Sequence, residues 1–428
     1  MMTQPSPRVQ LDVSGLTPAL NELEAAIQGG ARRFAAELMR PAAQALDKLA
    51  PEQVIAPGSL YWQVLGGFAA LGLTIETILE LEPAQQGRLM AIVFEELGWG
   101  DGGLAVALGA AMVPAIVAHQ MGRSELLARY PTHTLGCWGI TEPDHGSDML
   151  DASGHARHPG ARHGRANCVA RIDGDEIVID GQKSAWVSNG PTAQLCALFC
   201  GFDDGSGTEQ RCVVLVPLDL PGVSRGKPLD KLGQRALPQG EIFFDGVRVP
   251  RDHLLADPAN YAAAEYGVLA QANALMGAIW TGAARAAYEH AYGYAHQRKQ
   301  GGVAIVQHQN VRYRLFHMFR KLEAARALSQ QTLLFNHTAP LPALQASIAA
   351  KITATQTAFE LASDAIQMFG GNGLSMEYPV ERLLRDTRAA LIEDGCNELL
   401  AIKGGTLLAD PDLLSAIFLS HPMELPCA

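Results

Sequence analysis

The chain changes texture twice, and those two changes bound what it can fold into. From about residue 16 to 130 it reads as helix after helix: Pro18 to Gln28, Ala31 to Leu49, Leu60 to Leu71, Pro83 to Leu97 and Gly103 to Gln120, with polar or glycine breaks between. From Leu135 to Val249 short β-prone runs take over, separated by turn signals: Val169 to Ile172, Glu176 to Ile179, Leu195 to Gly201, Cys212 to Pro217 and Glu241 to Phe244. After Pro250 long helical patterns return at about 258 to 298, 308 to 336, 341 to 369 and 380 to 408. The expected architecture is α+β in three parts: an N-terminal α-helical domain (1–134), a middle β-barrel-like domain (135–250) and a C-terminal α domain containing a four-helix bundle (251–428).

A chain of 428 residues with 48% apolar and 18% charged residues can bury a large core and is not disordered. Its net charge of −11 argues against nucleic acid and against an anionic membrane surface. Met1 to Arg8 is polar with prolines, and the longest apolar runs, such as Leu104 to Ala118, stop short of a membrane span. A soluble, cytoplasmic protein is expected. Seven cysteines, an odd number scattered along the chain, fit reduced thiols better than a disulfide scaffold. Cys196 and Cys200 share one face of a strand and read as buried thiols, and no metal-ligand cluster is evident. His155, His158 and His163 fall in a Gly/Arg-rich stretch, Asp151 to Asn167, expected to be a mobile loop.

No GxGxxG follows a strand, and no P-loop, GxSxG or HExxH occurs. The informative chemistry lies near the C-terminus. Ala354 to Phe369 is an amphipathic helix with apolar residues at 358, 361, 362, 365, 366 and 369, ending in the flexible run Gly370-Gly371-Asn372-Gly373. Pro379 opens a charged segment with Arg382, Arg385, Asp386 and Arg388, which ends at Asp394-Gly395 before a helix from Asn397 to Leu408.

This run resembles the C-terminal signature of the FAD-dependent acyl-CoA dehydrogenase family, and other segments match the family in the right order over roughly residues 55 to 405. Gly139-Ile140-Thr141-Glu142-Pro143-Asp144-His145-Gly146-Ser147-Asp148 is similar to its N-terminal signature. The resemblance gives Thr141 a bond to the flavin ring and Ser147 contacts with the FAD pyrophosphate and the CoA end of the substrate. Gly181 to Gly190 resembles the strand whose aromatic packs on the flavin and whose hydroxyl bonds N5, here Trp186 and Ser188. One extra residue stands before Trp186, which a β-bulge would absorb. Leu232-Gly233-Gln234-Arg235, leading to Phe243 through Pro250, marks the end of the β domain in relatives.

The resemblance further implies that Arg298, Gln300 and Gln309 reach the FAD of a neighbouring subunit, with Gln367, Gly370 and Gly371 gripping its backbone; Gly301 stands where the family has Phe. Such sharing implies a homo-oligomer, a dimer or tetramer. Cys396 replaces the usual Thr beside the flavin. The catalytic base of relatives is a Glu preceding Gly, and the aligned residue here is Asp394, which would also contact the substrate. A thioester α-proton is far less acidic than a carboxylic acid with pKa near ~4, so that base must be desolvated and raised. Asp394 is shorter by one methylene, on the order of 1 Å. Glu393 is expected to point elsewhere and is kept as a backup base. The alternative base position of some relatives is Ala272, without a carboxylate, and Asn273 replaces a frequent Arg.

The expected activity is dehydrogenation of an acyl-CoA to a 2-enoyl-CoA, with electrons passed to electron-transferring flavoprotein and a cyclic, branched or substituted acyl group. The alternative is a divergent member acting as a flavin oxidase, an eliminating lyase or a carrier-protein-linked acyl desaturase. A non-catalytic flavin-binding protein is a third reading.

Overall fold

The computed structural model describes residues 19–131, 134–150, 158, 160–207, 209–410 and 412–418. Met1 to Arg8, and residues 151–157 and 159 of the Asp151 to Asn167 stretch, His155 among them, lie outside the described residues.

Helix α1 (Glu22–Phe34) opens on a capping box in which Asn21 and Glu24 each accept the other's backbone N–H. The helical path runs on through a π turn (Ala35–Met39) into α2 (Arg40–Leu46), so Gly29-Gly30 does not break it as the sequence pattern suggested. Ala31, Phe34 and Ala35 are buried there, and tertiary packing overrides the local cost of the glycines. Three short helices follow, α3 (Pro51–Val54), α4 (Leu60–Ala69) and α5 (Ile75–Leu79). Then come the two longer ones that matter for the site, α6 (Pro83–Gly100) and α7 (Gly102–Gln120).

Asp101 caps α7 by accepting from the Leu104 N–H at 2.9 Å and is itself ion-paired with Arg382. By length and composition α7 is apolar enough to cross a membrane, but 72% of its apolar window is buried inside the chain, and it serves as a core helix.

The β layer is one mixed sheet of eight strands: β1 (Gly136–Gly139), β2 (Cys168–Asp173), β3 (Glu176–Ser188), β4 (Leu195–Asp203), β5 (Gln210–Pro217), β6 (Val223–Arg225), β7 (Gln239–Pro250) and β8 (Leu254–Ala256). Its order is β6-β7-β3-β2-β4-β5-β8, with β1 paired in parallel to β4. Between Lys183↔Ile242 and Val187↔Gly240 the pairing advances four residues on β3 against two on β7. A bulge thus falls where one was expected before Trp186, but β3 carries two unmatched residues there and not one. Cys137, Cys168, Cys196, Cys200 and Cys212 pack with Ile177, Ile179 and Val214 on one face of the sheet as free, buried thiols.

Helix α8 (Tyr261–Gln297) leads into a two-stranded ribbon, β9 (Lys299–Gln300) and β10 (Val303–Ala304), then α9 (Gln309–Thr338) and α10 (Leu344–Phe369). The last helices are α11 (Val380–Ala390), α12 (Asn397–Ala409) and α13 (Asp412–Phe418). Residues 391–396 form the turn between α11 and α12.

N-terminal and C-terminal helices share one core. Helices α6 and α8 meet backbone to backbone: a Cβ on Gly98 would fall 1.9 Å from the Ile279 carbonyl oxygen, and one on Gly282 would fall 2.1 Å from that of Glu95. Beside this seam Glu95 and Glu96, both buried, are neutralised by Arg285 and Arg326, with Arg285 Nη2 to Glu96 Oε2 at 2.6 Å and Arg326 Nη2 to Glu95 Oε1 at 3.0 Å.

Candidate active site

A cavity of about 540 Å³ opens where the sheet, α7, α8 and the α11–α12 turn converge. Its deep wall is apolar: Val106, Val113 and Ile116 from α7, with Val268, Leu275 and Ile279 from α8. Its polar rim brings together Thr141, Ser147, Trp186, Ser188, Glu393 and Asp394, six residues spread over about 250 positions of sequence.

The signature loop before Ser147 is anchored from below. Lys183 and Glu142 form a fully buried ion pair at 2.6 Å, and the same ammonium donates to the Ile140 and Phe199 carbonyls at 3.3 and 2.7 Å. Glu142 also accepts the Asn167 N–H. The glutamate and lysine of the two signatures are therefore architectural, holding Thr141 against β3, where Ser184 Oγ lies 2.9 Å from Thr141 Oγ1. Two residues on, the β3 bulge carries Trp186 onto the cavity wall with 60% of its surface exposed.

Ser188 is oriented by a short relay. Lys231 donates to Gln239 Oε1 at 2.8 Å, and Gln239 Nε2 donates to Ser188 Oγ at 3.2 Å, which leaves the hydroxyl hydrogen of Ser188 for another acceptor. Burial lowers the Lys231 ammonium to about 7, partly offset by the charges of Glu393 and Asp386. Lys231, Gln234 and Gln239 all line the cavity, and sequence reasoning assigned none of them a role.

Asp394 sits in the α11–α12 turn with φ of 51°, a left-handed conformation uncommon for a residue with a side chain. Neither its carboxyl nor its backbone N–H makes a hydrogen bond among the described residues. Behind it, Lys351 of α10 is fully buried and donates to the Gly395 carbonyl and to Asn397 Oδ1, each at 2.8 Å. Burial raises the Asp394 carboxyl above its ordinary value, and the Lys351 charge opposes that rise. Ser147 Oγ accepts the Cys396 N–H at 3.1 Å, which ties the signature loop to the same turn.

Glu393 does not point elsewhere, as the sequence suggested, but lines the cavity beside Asp394. The left-handed residue that follows it breaks the helical geometry on which that expectation rested. Burial and then the charge of Asp394 push the Glu393 carboxyl up to about 8, while Gln234, Lys351 and Lys231 pull it down. The charge of one carboxyl bears on the other, so the two act as a pair.

Ala272 lies on the cavity wall, so the alternative base position is present and carries no acid. Asn273, next to it, is fully buried with its amide nitrogen bonded to the Leu269 carbonyl, and it is absent from the wall. The Cys396 side chain is likewise not part of the lining.

Arg298, Gln300, Gln309, Gln367, Gly370 and Gly371 are not brought to this cavity. All six are exposed, lying just after α8 and in its β9–β10 ribbon, at the start of α9, and at the end of α10. Tyr294 joins those segments by stacking on Phe369 with centroids 4.0 Å apart and by accepting from Asn372 Nδ2 at 3.0 Å.

Comparison with known proteins agrees across the chain. Residues 137–247 match the acyl-CoA dehydrogenase middle domain and residues 262–403 the acyl-CoA dehydrogenase C-terminal domain. The chain is 31% identical over 275 residues to the short-chain specific acyl-CoA dehydrogenase of mouse mitochondria, a match covering 64% of this chain and 63% of that one. It is 34% identical over 269 residues to benzylmalonyl-CoA dehydrogenase of Aromatoleum aromaticum, covering 63% and 66% of the two chains. It is 31% identical over 319 residues to the probable acyl-CoA dehydrogenase YngJ of Bacillus subtilis, covering 72% and 79%.

Among solved structures, butyryl-CoA dehydrogenase from Megasphaera elsdenii superposes with a TM-score of 0.79 at 24% identity, covering 92% of this chain and all of that one. Nitroalkane oxidase, an active-site Asp-to-Asn mutant crystallised with 1-nitrooctane, superposes with a TM-score of 0.80 at 20% identity over 94% and 99% of the two chains. With the fold, both domain models and a relative matched over most of its length in agreement, the chain belongs to the acyl-CoA dehydrogenase family.

Proposed function

We propose that this protein is an FAD-dependent dehydrogenase that removes hydrogens from the α and β carbons of an acyl-CoA thioester and passes the electrons to electron-transferring flavoprotein. One observation carries the reading: the unpartnered carboxyl of Asp394 shares a single cavity with Thr141, Ser188 and the open indole of Trp186.

The residues present suit a flavin. A Trp that is 60% exposed on a cavity wall is apolar area that a flat ring system would cover. The Ser188 hydroxyl, already accepting from Gln239, has its hydrogen left to donate. When bound, FAD supplies the acceptor for the β-hydride. The exposed group of Arg298, Gln300, Gln309, Gln367, Gly370 and Gly371 would hold the FAD of a second copy, Arg298 offering a multi-donor guanidinium to its pyrophosphate. On this reading the working unit is a homo-oligomer in the cytoplasm.

The proton is the work of the chain itself. Asp394 accepts it from the α-carbon, its basicity raised by burial and its charge favoured by Lys351. The free N–H of Asp394 is a donor for the thioester oxygen as negative charge builds there. The apolar wall of α7 and α8 takes the acyl chain and excludes water. A substituted acyl group suits the shorter base, and the similarity to an enzyme named for benzylmalonyl-CoA supports that class.

The test is to mix the protein anaerobically with straight, branched, cyclic and aromatic acyl-CoAs and follow the visible absorption of the oxidised flavin. Bleaching by one class supports the reading, and bound flavin that none of them bleaches overturns it.

A second reading, a flavin oxidase acting on another carbon acid, is favoured by the aspartate itself, since a nitroalkane oxidase with an active-site aspartate shares the fold. Consumption of dioxygen during turnover with a nitroalkane and none with acyl-CoA would select it.

A further inference from the structure

Gln234 reaches the cavity from the segment between β6 and β7, and its amide orientation is fixed. Nε2 donates to the Asp386 carbonyl oxygen at 3.3 Å, and a carbonyl can only accept, so this atom is the nitrogen. The same nitrogen donates to Glu393 Oε1 at 2.9 Å. The Gln234 backbone N–H donates to the Asp386 carboxylate, and Gln234 is only 2% exposed. Oε1 of Glu393 is thereby committed as an acceptor.

The second oxygen, Oε2, makes no hydrogen bond among the described residues, and Glu393 is half-buried on the cavity wall. With Oε1 accepting, a proton held by this carboxyl resides on Oε2, where it is a hydrogen-bond donor that no described residue engages, on a side chain that lines the cavity. The groups acting on Glu393 from neighbouring elements are Asp394 in its own turn, Lys351 from α10 and Lys231 from the β6–β7 segment. Of these, Asp394 when ionised favours retention of the Glu393 proton, and the two lysines oppose it.

We propose that Glu393, aligned by Gln234, is a specificity residue that donates a hydrogen bond to an oxygen on the acyl group, so the preferred substrate is an oxygen-bearing acyl thioester rather than a plain hydrocarbon chain. The inference rests on the acyl-CoA dehydrogenase reading and deepens it. Consecutive Cα atoms lie ~3.8 Å apart and both side chains enter one cavity, so the oxygen that Glu393 reads lies a few bonds from the α-carbon that Asp394 addresses. A hydroxyl, an oxo group and a carboxylate all present the acceptor. A saturated chain would leave the carboxyl hydrogen unsatisfied, and the cost of that falls on the complex.

The experiment uses the flavin-loaded protein and matched thioesters: butanoyl- and hexanoyl-CoA against 4-hydroxybutanoyl-, 4-oxopentanoyl- and glutaryl-CoA. Dissociation constants come from the flavin spectral shift and reduction rates from anaerobic bleaching. At least one oxygen-bearing thioester should bind about tenfold more tightly than its hydrocarbon counterpart. That ratio should collapse in Glu393→Leu and persist in part in Glu393→Gln, whose amide still donates and whose shape is nearly unchanged. Which of the three leads identifies the oxygen function.

Equal binding of the two classes, or a preference that survives in Glu393→Leu, overturns the proposal. If no thioester reduces the flavin but the binding preference is present and depends on Glu393, the specificity assignment stands and the dehydrogenase reading falls. If hydrocarbon thioesters reduce the flavin as well as the oxygenated ones do, the reverse holds.

Discussion

The ammonium of Lys351 donates to the carbonyl of Gly395, the residue after Asp394, at 2.8 Å, so a fully buried lysine in α10 fixes the turn that presents the Asp394 carboxyl to the cavity. Its second bond, to Asn397 Oδ1, fastens the start of α12 to the same point. Buried without a carboxylate bonded to it, this lysine is lowered to about 8 by desolvation, against the pull of Glu393 and Asp394.

Replacing Lys351 by Met should therefore do two things. The buried Gly395 carbonyl loses its donor, at about 1–3 kcal/mol, Asn397 Oδ1 loses its shorter bond, and the melting temperature should fall. Asp394 also loses the charge that favours its ionised form, so the acid limb of the pH profile for flavin reduction should move upward. A profile unchanged from the parent would make Lys351 a purely structural residue.

Asp394→Asn should leave acyl-CoA binding nearly intact while slowing flavin reduction by at least about 10³-fold, because the amide cannot take the proton. Asp394→Glu should retain measurable reduction. Stopped-flow absorbance reads both, and retained reduction in Asp394→Asn would pass the role of base to Glu393.

Glu393 makes a prediction about stability with a definite sign. Its carboxyl holds its proton in the folded state up to about 8, whereas the unfolded chain releases it near ~4.5, so this group's contribution is fully present below about 4.5 and is lost as pH rises through 8. Asp394, Lys351 and Lys231 face it and remain in the variant. Glu393→Gln should accordingly stabilise the protein more at pH 8.5 than at pH 5, read as the difference in melting temperature from the parent at each pH. A constant difference would show that Glu393 is not protonated in the fold.

Trp186→Ala should weaken flavin retention without unfolding the sheet, since the bulge places the indole outside the β ladder. The flavin-to-protein absorbance ratio after gel filtration should drop while the melting temperature of the flavin-free protein changes by only a few degrees. Trp186→Phe should restore part of the ratio.

Much of this site was legible in the sequence because its residues sit in short segments with local signatures. Thr141, Ser147, Trp186, Ser188 and Asp394 all reach the cavity. The missed residues share a different property. Gln234 and Lys231 act through partners more than 150 and only 8 residues away respectively, neither of which a local pattern singles out. Glu393 was misread because its direction depends on the left-handed backbone of Asp394, a conformation that nothing in the residue types announces. Gly29-Gly30 misled in the opposite way, as local breakers overruled by packing. The role proposed for Arg298 and its exposed neighbours would need a second chain, so one chain's geometry does not test it.

The glycine seam between α6 and α8 has a consequence for how this protein can change. Ile279, whose carbonyl presses against Gly98, also lines the deep wall of the cavity. Because the two helices are in backbone contact there, neither can slide or separate to make room, and a larger residue at Gly98 or Gly282 would wreck the fold before it widened the pocket. New substrates must therefore be reached by exchanging side chains along α7 and at the rim, one methyl or one polar group at a time. Divergence of this lineage is expected to appear as scattered point changes at Val106, Val113, Val268, Leu275 and Glu393 around an unmoving pair of helices.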